Sequence, residues 1–332
     1  MALRKLFLIV FVLLAVSGMV FAGGSGEAPV VDEDCVPGEL DSRYCDRTGN
    51  LVADPPLDES QWLDPDTLIF AYAPVEDPAV YQEVFAEFID HLENELARPV
   101  RWFGVRTYAA QIEAMRAGRL HISGFSSGSV QSAVNEGGFV PQTIMGNENG
   151  FVGYRMEIIS HVNSGIETPD DLRGREIAFV SESSNSGYFA PRAILYEEFG
   201  MLPGEDYRTA FSGSHDNSIL GVFNEDYEAA AIANTVAIRM FEGGRLQTLD
   251  NFNTVYASDI FPTTAYGVAH NLAPELQERI KQAFLSFDWE GTMLDQEWEA
   301  EDRFLEVDYV RDFEVMRTVR SGSNTVAEIL GD

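Results

Sequence analysis

From residue 66 onward the apolar positions switch repeatedly between two periods. Short apolar runs such as "TLIFAYAP" (67–74), "PVRWFGV" (99–105) and "RLHISGF" (119–125) predict strands. Between them, "PAVYQEVFAEFIDHLENEL" (78–96) and "TYAAQIEAMRAG" (107–118) carry apolar residues every three or four positions, which predicts helices. Such alternation implies a parallel sheet covered by helices, with ligands held outside the carboxyl ends of the strands. A second series repeats the pattern. "FVGYRMEIISHV" (151–162) crosses to it, and "REIAFV" (175–180), "YRTAFSG" (207–213), "EAAAIA" (228–233) and "NTVYAS" (253–258) are its predicted strands. "TPDDLRG" (168–174), "GYFAPRAILYEEFG" (187–200), "DNSILGVFN" (216–224) and "TVAIRMFEGG" (235–244) are its predicted helices. "TTAYGVAH" (263–270) returns the chain to the first series, ahead of helices over about 274–287 and 290–305. One lobe interrupted by another is therefore expected: 66–157 with 264–332 in the first, 158–263 in the second, joined by a two-crossing hinge that encloses a cleft.

The ends of the chain's amino-terminal part read differently. "MALRKLFLIVFVLLAVSGMVFA" (1–22) has a basic start, an apolar run and small residues at its end, the layout of a cleaved secretory signal, which implies a periplasmic or extracellular location. Residues 23–65 are rich in Gly, Pro, Asp and Glu without periodicity, so an extended arm or loop segment is expected there. Cys35 and Cys45, the only cysteines, are close enough in sequence to close a small disulfide loop in an oxidising compartment. Two thiols alone cannot make a four-ligand zinc site.

Composition narrows the partners. With 22 basic against 54 acidic side chains in 332 residues, the chain lacks the basic patches that recruit nucleic acid or anionic membranes. Hydrophobic residues make up 45% of it, enough for a packed core. Lysine occurs only at Lys5 and Lys281. A surface so dense in Asp and Glu suits strong salt, where screening removes self-repulsion.

Three predicted strand ends run into short polar turns that open helices: "FSSGSVQSAV" (125–134), "SESSNSGYFAP" (181–191) and "SGSHDNS" (212–218). The first N–H groups of a helix lack intrahelical acceptors, and the helix dipole adds partial positive charge at that end. Ser and Asn side chains supply further donors, and glycine permits close approach, so the three turns form a candidate oxyanion cradle that needs no cationic side chain. An ordinary helix cap is the competing reading of any one of them.

The residues "SSNSGYFAPRAIL", "FSGSHDNSILGV" and "TYAAQIEAMRAG" together make the chain, over roughly residues 66–287, similar to the periplasmic phosphate-, phosphite- and phosphonate-binding proteins of ABC importers, the PhnD-like group. The resemblance implies a type II-like periplasmic binding protein fold, each lobe a mostly parallel sheet flanked by helices. It also implies a ligand-binding monomer without catalytic activity or cofactor that delivers its ligand to a membrane permease. The family's phosphonyl-binding run falls on Ser184, Asn185 and Ser186 with Gly187, and its His-Asp pair on His215 and Asp216. Ser126, Ser127 and Gly128 stand where relatives carry a Phe-Gly-Pro run followed by Tyr; here Val130 takes the place of the tyrosine. Tyr72 and Tyr154 are further candidates near strand ends. Relatives that bind aminoalkyl phosphonates place an acid where this chain has Ala233 and Asn234, so an ammonium-bearing ligand is disfavoured and phosphate, phosphite or a small alkylphosphonate is expected.

Two rivals differ in output. A secreted hydrolase would need a triad, but His215 and Asp216 are sequence neighbours, and no G-x-S-x-G elbow or H-E-x-x-H motif occurs. The same fold acting as a ligand sensor for a signalling receptor is not separable from an importer by residues alone.

Overall fold

The computed structural model describes residues 35–298 and 300–331; the secretory signal expected over 1–22 lies outside them. Following the chain, β1 (Leu68–Tyr72), β2 (Val100–Trp102), β3 (Ile122–Phe125) and β4 (Phe139–Gly146) build the first sheet. The chain then crosses over residues 147–153. β5 (Tyr154–His161), β6 (Glu176–Phe179), β7 (Arg208–Phe211), β8 (Ala229–Ala233) and β9 (Phe252–Phe261) build the second sheet. After residues 262–264, β10 (Ala265–Ala269) and β11 (Arg303–Glu306) complete the first. The strand orders are β11-β4-β10-β3-β1-β2 and β7-β6-β8-β5-β9. Each sheet has a parallel group, β3-β1-β2 and β7-β6-β8, extended by antiparallel strands. The two crossing strands pair with each other along the second sheet, Tyr154 opposite Phe261, so both connections run side by side. β5 belongs wholly to the second sheet, which puts the first crossing before Tyr154 rather than after Glu157.

Apolar strand residues form the core of each lobe, with Leu68, Phe70, Ile122 and Phe125 fully buried in the first and Ile158, Ile177, Phe179 and Ile232 in the second. Aromatic packing overrides local periodicity at one point. The helix expected over 78–96 breaks into Pro78–Val84 and Ala86–Leu96 at Phe85, a fully buried residue packed among Phe70, Phe88 and Trp102.

The expected helix over 290–305 is also different. Only Met293–Glu297 is helical, and Phe304 is buried between exposed Arg303 and half-buried Leu305 in an edge strand against β4. β4 itself contains Pro141, which cannot donate to a ladder and is tolerated because the register shifts beside it, between Tyr266 and Gly267 of β10. A Cβ on Gly267 would lie 2.0 Å from the Val140 carbonyl oxygen, so glycine is the residue that lets β10 approach at this bulge.

A third connection adds to the two crossings. Helix Glu314–Leu330 lies against helix Ala190–Phe199 of the second lobe, with Gly322 facing Ala193 and Glu197. Arg320 stacks on the Phe189 ring at 4.4 Å and donates to Ser132 Oγ of the first lobe at 3.0 Å. The carboxyl-terminal helix thus touches both lobes.

Residues 35–65 pack on the first lobe instead of extending away. Asp41 N–H donates to the Asn135 carbonyl at 2.7 Å, the Tyr44 hydroxyl to the Glu136 carbonyl at 3.2 Å, and the Leu63 N–H to the Asn271 carbonyl at 2.7 Å. Cys35 and Cys45 are joined in a disulfide, their Cα atoms 4.9 Å apart. Closing this short loop restricts the unfolded chain. Replacing both residues (Cys35→Ser with Cys45→Ser) is expected to lower the unfolding free energy by about 2 kcal/mol in urea titrations without reductant; equal midpoints would show that the loop adds nothing.

Candidate functional site

The three polar turns converge. Ser126 and Ser127 at the start of helix Ser127–Gly137, Ser184, Asn185 and Ser186 at the start of the helical segment Asn185–Phe199, and His215 at the start of helix His215–Phe223 line one cavity between the lobes. Tyr72, at the end of β1, and Tyr154, at the start of β5, line it too. It encloses about 70 Å³, far below the roughly 300–1,000 Å³ of a drug-sized pocket, so only a small ligand fits.

Each donor is held by its neighbours. The Ala233 N–H donates to His215 Nδ1 at 3.1 Å, which places the imidazole proton on Nε2, 3.3 Å from Ser184 Oγ. Burial pushes the His215 pKa down to about 4, so the ring is a neutral donor. Ser184 Oγ also receives the Gly187 N–H at 3.1 Å, leaving its own proton for the cavity. Asn185 Nδ2 donates to the Tyr154 hydroxyl at 2.9 Å, and that hydroxyl shares a 2.7 Å hydrogen bond with Ser127 Oγ of the other lobe. The N–H groups of Asn185 and Ser186 open their helix and have no acceptor within it.

Other sequence candidates sit elsewhere. The missing Cβ of Gly187 faces Val180, where one would lie 2.5 Å from Val180 Cβ; the glycine serves helix-on-strand packing, and its N–H is capped by Ser184 Oγ. Asp216 accepts the Ser214 hydroxyl and lines a separate groove with Pro74, Asp77 and Arg106, so it does not orient His215. Gly128 lies at the seam of the lobes. A Cβ there would fall 2.1 Å from the Asn185 nitrogen and 2.7 Å from the Ser184 carbonyl carbon.

Several lining residues escaped the sequence reading. Tyr108 opens helix Tyr108–Arg116, behind its Thr107 cap, and its buried hydroxyl, near Ser126 and Ser184, makes no well-formed hydrogen bond among the described residues; burial holds that phenol well above its ordinary pKa, so it stays protonated. The Thr263 hydroxyl is likewise buried and unpartnered, and Thr264 shares a 3.3 Å hydrogen bond with Tyr72. A fourth helix, Asn234–Glu242, brings Thr235, Val236 and Arg239 to the wall. Val75 and Trp298 complete an apolar side. The cradle was expected to need no cationic side chain; the structure adds one to its wall, Arg239, paired with Glu76 at 2.8 Å and Glu297 at 3.0 Å. Thr107-Tyr108 as a cap followed by an aromatic, and Thr235 and Arg239 one turn apart, were the available signals; Trp298 had none. Among the described residues no group of His, Cys, Asp and Glu is arranged to hold a metal ion.

Comparison with known proteins agrees with this geometry. The family model described as the periplasmic substrate-binding protein of phosphonate ABC transporters matches residues 70–312. The Phosphate-import protein PhnD of Mycolicibacterium smegmatis is 26% identical over 243 residues, covering 68% of this chain and 75% of that protein. A binding-protein component of an ABC phosphonate transporter from Pseudomonas aeruginosa superposes with a TM-score of 0.70 at 17% identity, over 79% of this chain and 88% of the other. PhnD1 from Prochlorococcus marinus, solved with methylphosphonate, gives 0.67 at 18% identity, over 79% and 99%. At these identities the two structures establish the two-lobed fold.

Two outcomes follow. Gly128→Ala is expected to leave ligand-free stability nearly unchanged, since Gly128 is helical, yet to weaken anion binding by about 1–3 kcal/mol because the new methyl meets backbone of the other lobe. Equal affinities in calorimetry would remove Gly128 from the seam. For His215, a folded pKa of about 4 against 6.5 when unfolded means that only the unfolded chain gains this proton as pH falls through that window. Stability contributed by the neutral ring is full above pH 6.5 and is lost toward pH 4, by up to about 3 kcal/mol. Urea midpoints at pH 7 and pH 5 should therefore fall more in wild type than in His215→Gln.

Proposed function

The chain belongs to the family of periplasmic substrate-binding proteins of phosphonate ABC transporters, and from that premise we propose that it captures a small tetrahedral phosphorus oxyanion between its lobes for a membrane permease. Phosphate, phosphite and small alkylphosphonates are the ligand class, with methylphosphonate the favoured member. One observation carries this reading: the cavity is small and lined mainly by uncharged donors and apolar residues, with the Arg239 guanidinium on its wall paired to Glu76 and Glu297. Ser126, Ser127, Ser184, Asn185, Ser186, Tyr108, Tyr154 and His215 offer hydroxyl, amide and imidazole groups to the anion's oxygens. Tyr72, Val75, Val236 and Trp298 receive the remaining substituent, for which a hydrogen or methyl group needs no partner.

Ligand oxygens are recognised by short hydrogen bonds in a dry site, where each is stronger than in water. The Asn185 Oδ1, buried and without a donor, is placed to accept the acidic proton of a monoprotonated anion. Among the described residues no carboxylate lines the cavity to meet an ammonium group. Residues 1–22 would direct export, and the chain would work as a monomer.

Isothermal titration with phosphate, phosphite, methylphosphonate, 2-aminoethylphosphonate and sulfate tests the assignment. Methylphosphonate is expected to bind tightly and the aminoethyl compound at least tenfold more weakly. Ser186→Ala and His215→Ala should each cost about 1–3 kcal/mol of affinity, the penalty for stranding a buried partner. Binding of sulfate with none of the phosphorus compounds would refute the proposal.

A further inference from the structure

Beside the cavity, two arginines of the second lobe meet one buried carboxylate of the first. Glu76, in the loop after β1 of the first lobe, has a fully buried side chain. Its Oε1 accepts the Tyr81 hydroxyl at 3.0 Å and Arg239 Nη2 at 2.8 Å, and its Oε2 accepts Arg245 Nη2. Both arginines belong to the second lobe, Arg239 on the helix that walls the cavity and Arg245 just beyond it. Arg239 Nε lies 3.0 Å from Glu297 Oε1 of the first lobe, and its guanidinium sits 5.7 Å above the Trp298 ring. One arginine therefore touches the ligand cavity, the buried carboxylate and the aromatic wall together.

Taking a carboxylate out of water is costly unless charged partners replace the lost hydration. For Glu76 those partners reside on the opposite lobe, and among the described residues the one donor from its own lobe is the Tyr81 hydroxyl. Complete pairing of Glu76 thus requires the lobes to be together, and parting them returns both the carboxylate and the arginines to water. The backbone follows the same seam: the His215 N–H donates to the Val75 carbonyl at 3.2 Å, next to Glu76 in sequence and across the lobes.

We propose that Glu76 is a positioning residue for ligand binding: paired with Arg239 and Arg245, it latches the lobes together and fixes the wall formed by Arg239 and Trp298. The latch rests on the two-lobed binding reading, but its action does not depend on which anion is bound. Its charges are distinct from the neutral donors that face the ligand.

The test uses Glu76→Gln, which keeps the shape and removes the charge, and Arg245→Gln, a milder change at a partly exposed side chain. Spin labels on exposed positions of the two lobes, Arg101→Cys and Arg208→Cys, report the interlobe distance without ligand and with saturating methylphosphonate. In Glu76→Gln the short-distance population of ligand-free protein is expected to fall at least threefold and the methylphosphonate Kd to rise at least tenfold. Arg245→Gln should shift both in the same direction by less. The ligand-free urea midpoint is expected to stay near wild type, a readout that a merely structural carboxylate would lower. Distance distributions equal to wild type in both variants would overturn the latch. If wild type binds no methylphosphonate, the ligand assignment fails while the ligand-free distances still decide this proposal.

Discussion

The backbone contact between Gly128 and Asn185 is the constraint on which the site depends. Two helix starts, one from each lobe, approach so closely that no side chain fits between them. That approach brings Ser127 onto Tyr154 and Asn185 onto the same hydroxyl, so donors from both lobes face one small space. Helix N-termini point their free N–H groups outward along the axis, and placing two of them close together concentrates positive potential without a formal charge. The folds of the lobes exist to hold these starts in register. Parallel strands β3, β6 and β7 each end next to the seam, because every strand-to-helix turn in such sheets lies on the same edge.

Charge is handled in two layers. An acid-rich chain with formal net charge −32 must hold an anion, which long-range electrostatics would repel. The inner layer solves this with neutral groups whose hydrogen bonds act only at contact. His215 belongs to it because burial keeps its ring uncharged, so it donates without presenting a proton that water could take. The outer layer contains the formal charges. Burial favours a neutral Glu76, but Arg239 and Arg245 outweigh that and hold its carboxyl below the ordinary range. Burial, by contrast, raises Glu297 against the pull of Arg239. Arg239 thereby stays saturated by its carboxylates, and the cavity wall that it shares carries little net charge.

Much of this was legible from periodicity. The alternation of period-two and helical segments identified the strands from 68 to 72, 122 to 125 and 229 to 233, and polar turns at strand ends located Ser184, Asn185, Ser186 and His215 within one cavity. What was not legible depends on tertiary neighbours. β4 was hidden by Pro141, which only a bulge opposite Gly267 makes acceptable. The strand at 303–306 was read as helix because its edge position pairs it on one side alone, leaving a short, weakly patterned segment. Trp298 reaches the cavity, and Glu297 reaches Arg239, from a segment remote in sequence, and no local spacing announces that. Arg239 was unread because a cation seemed unnecessary; its role is visible only once Glu76, far away in sequence, lies against it. Asp216, beside His215 in sequence, lines a separate groove, and orientation of His215 comes from the Ala233 N–H, a strand end that sequence adjacency does not reveal.

These features agree on how binding tolerates salt. Surface ion pairs weaken as ions screen them, whereas buried pairs and contact hydrogen bonds are screened much less. The groups that join the lobes here are of the second kind: Glu76 is fully buried, Arg239 is nearly so, and the Ser, Asn, Tyr and His donors are shielded by the same closure that assembles them. The abundant exposed carboxylates, by contrast, repel one another less as ionic strength rises. Added salt therefore relieves the surface and spares the seam. An acidic exterior around a cradle whose donors are mostly uncharged is in this sense one design, because the exterior's repulsion is long-ranged and removable, while recognition is confined to distances that ions in solution do not enter.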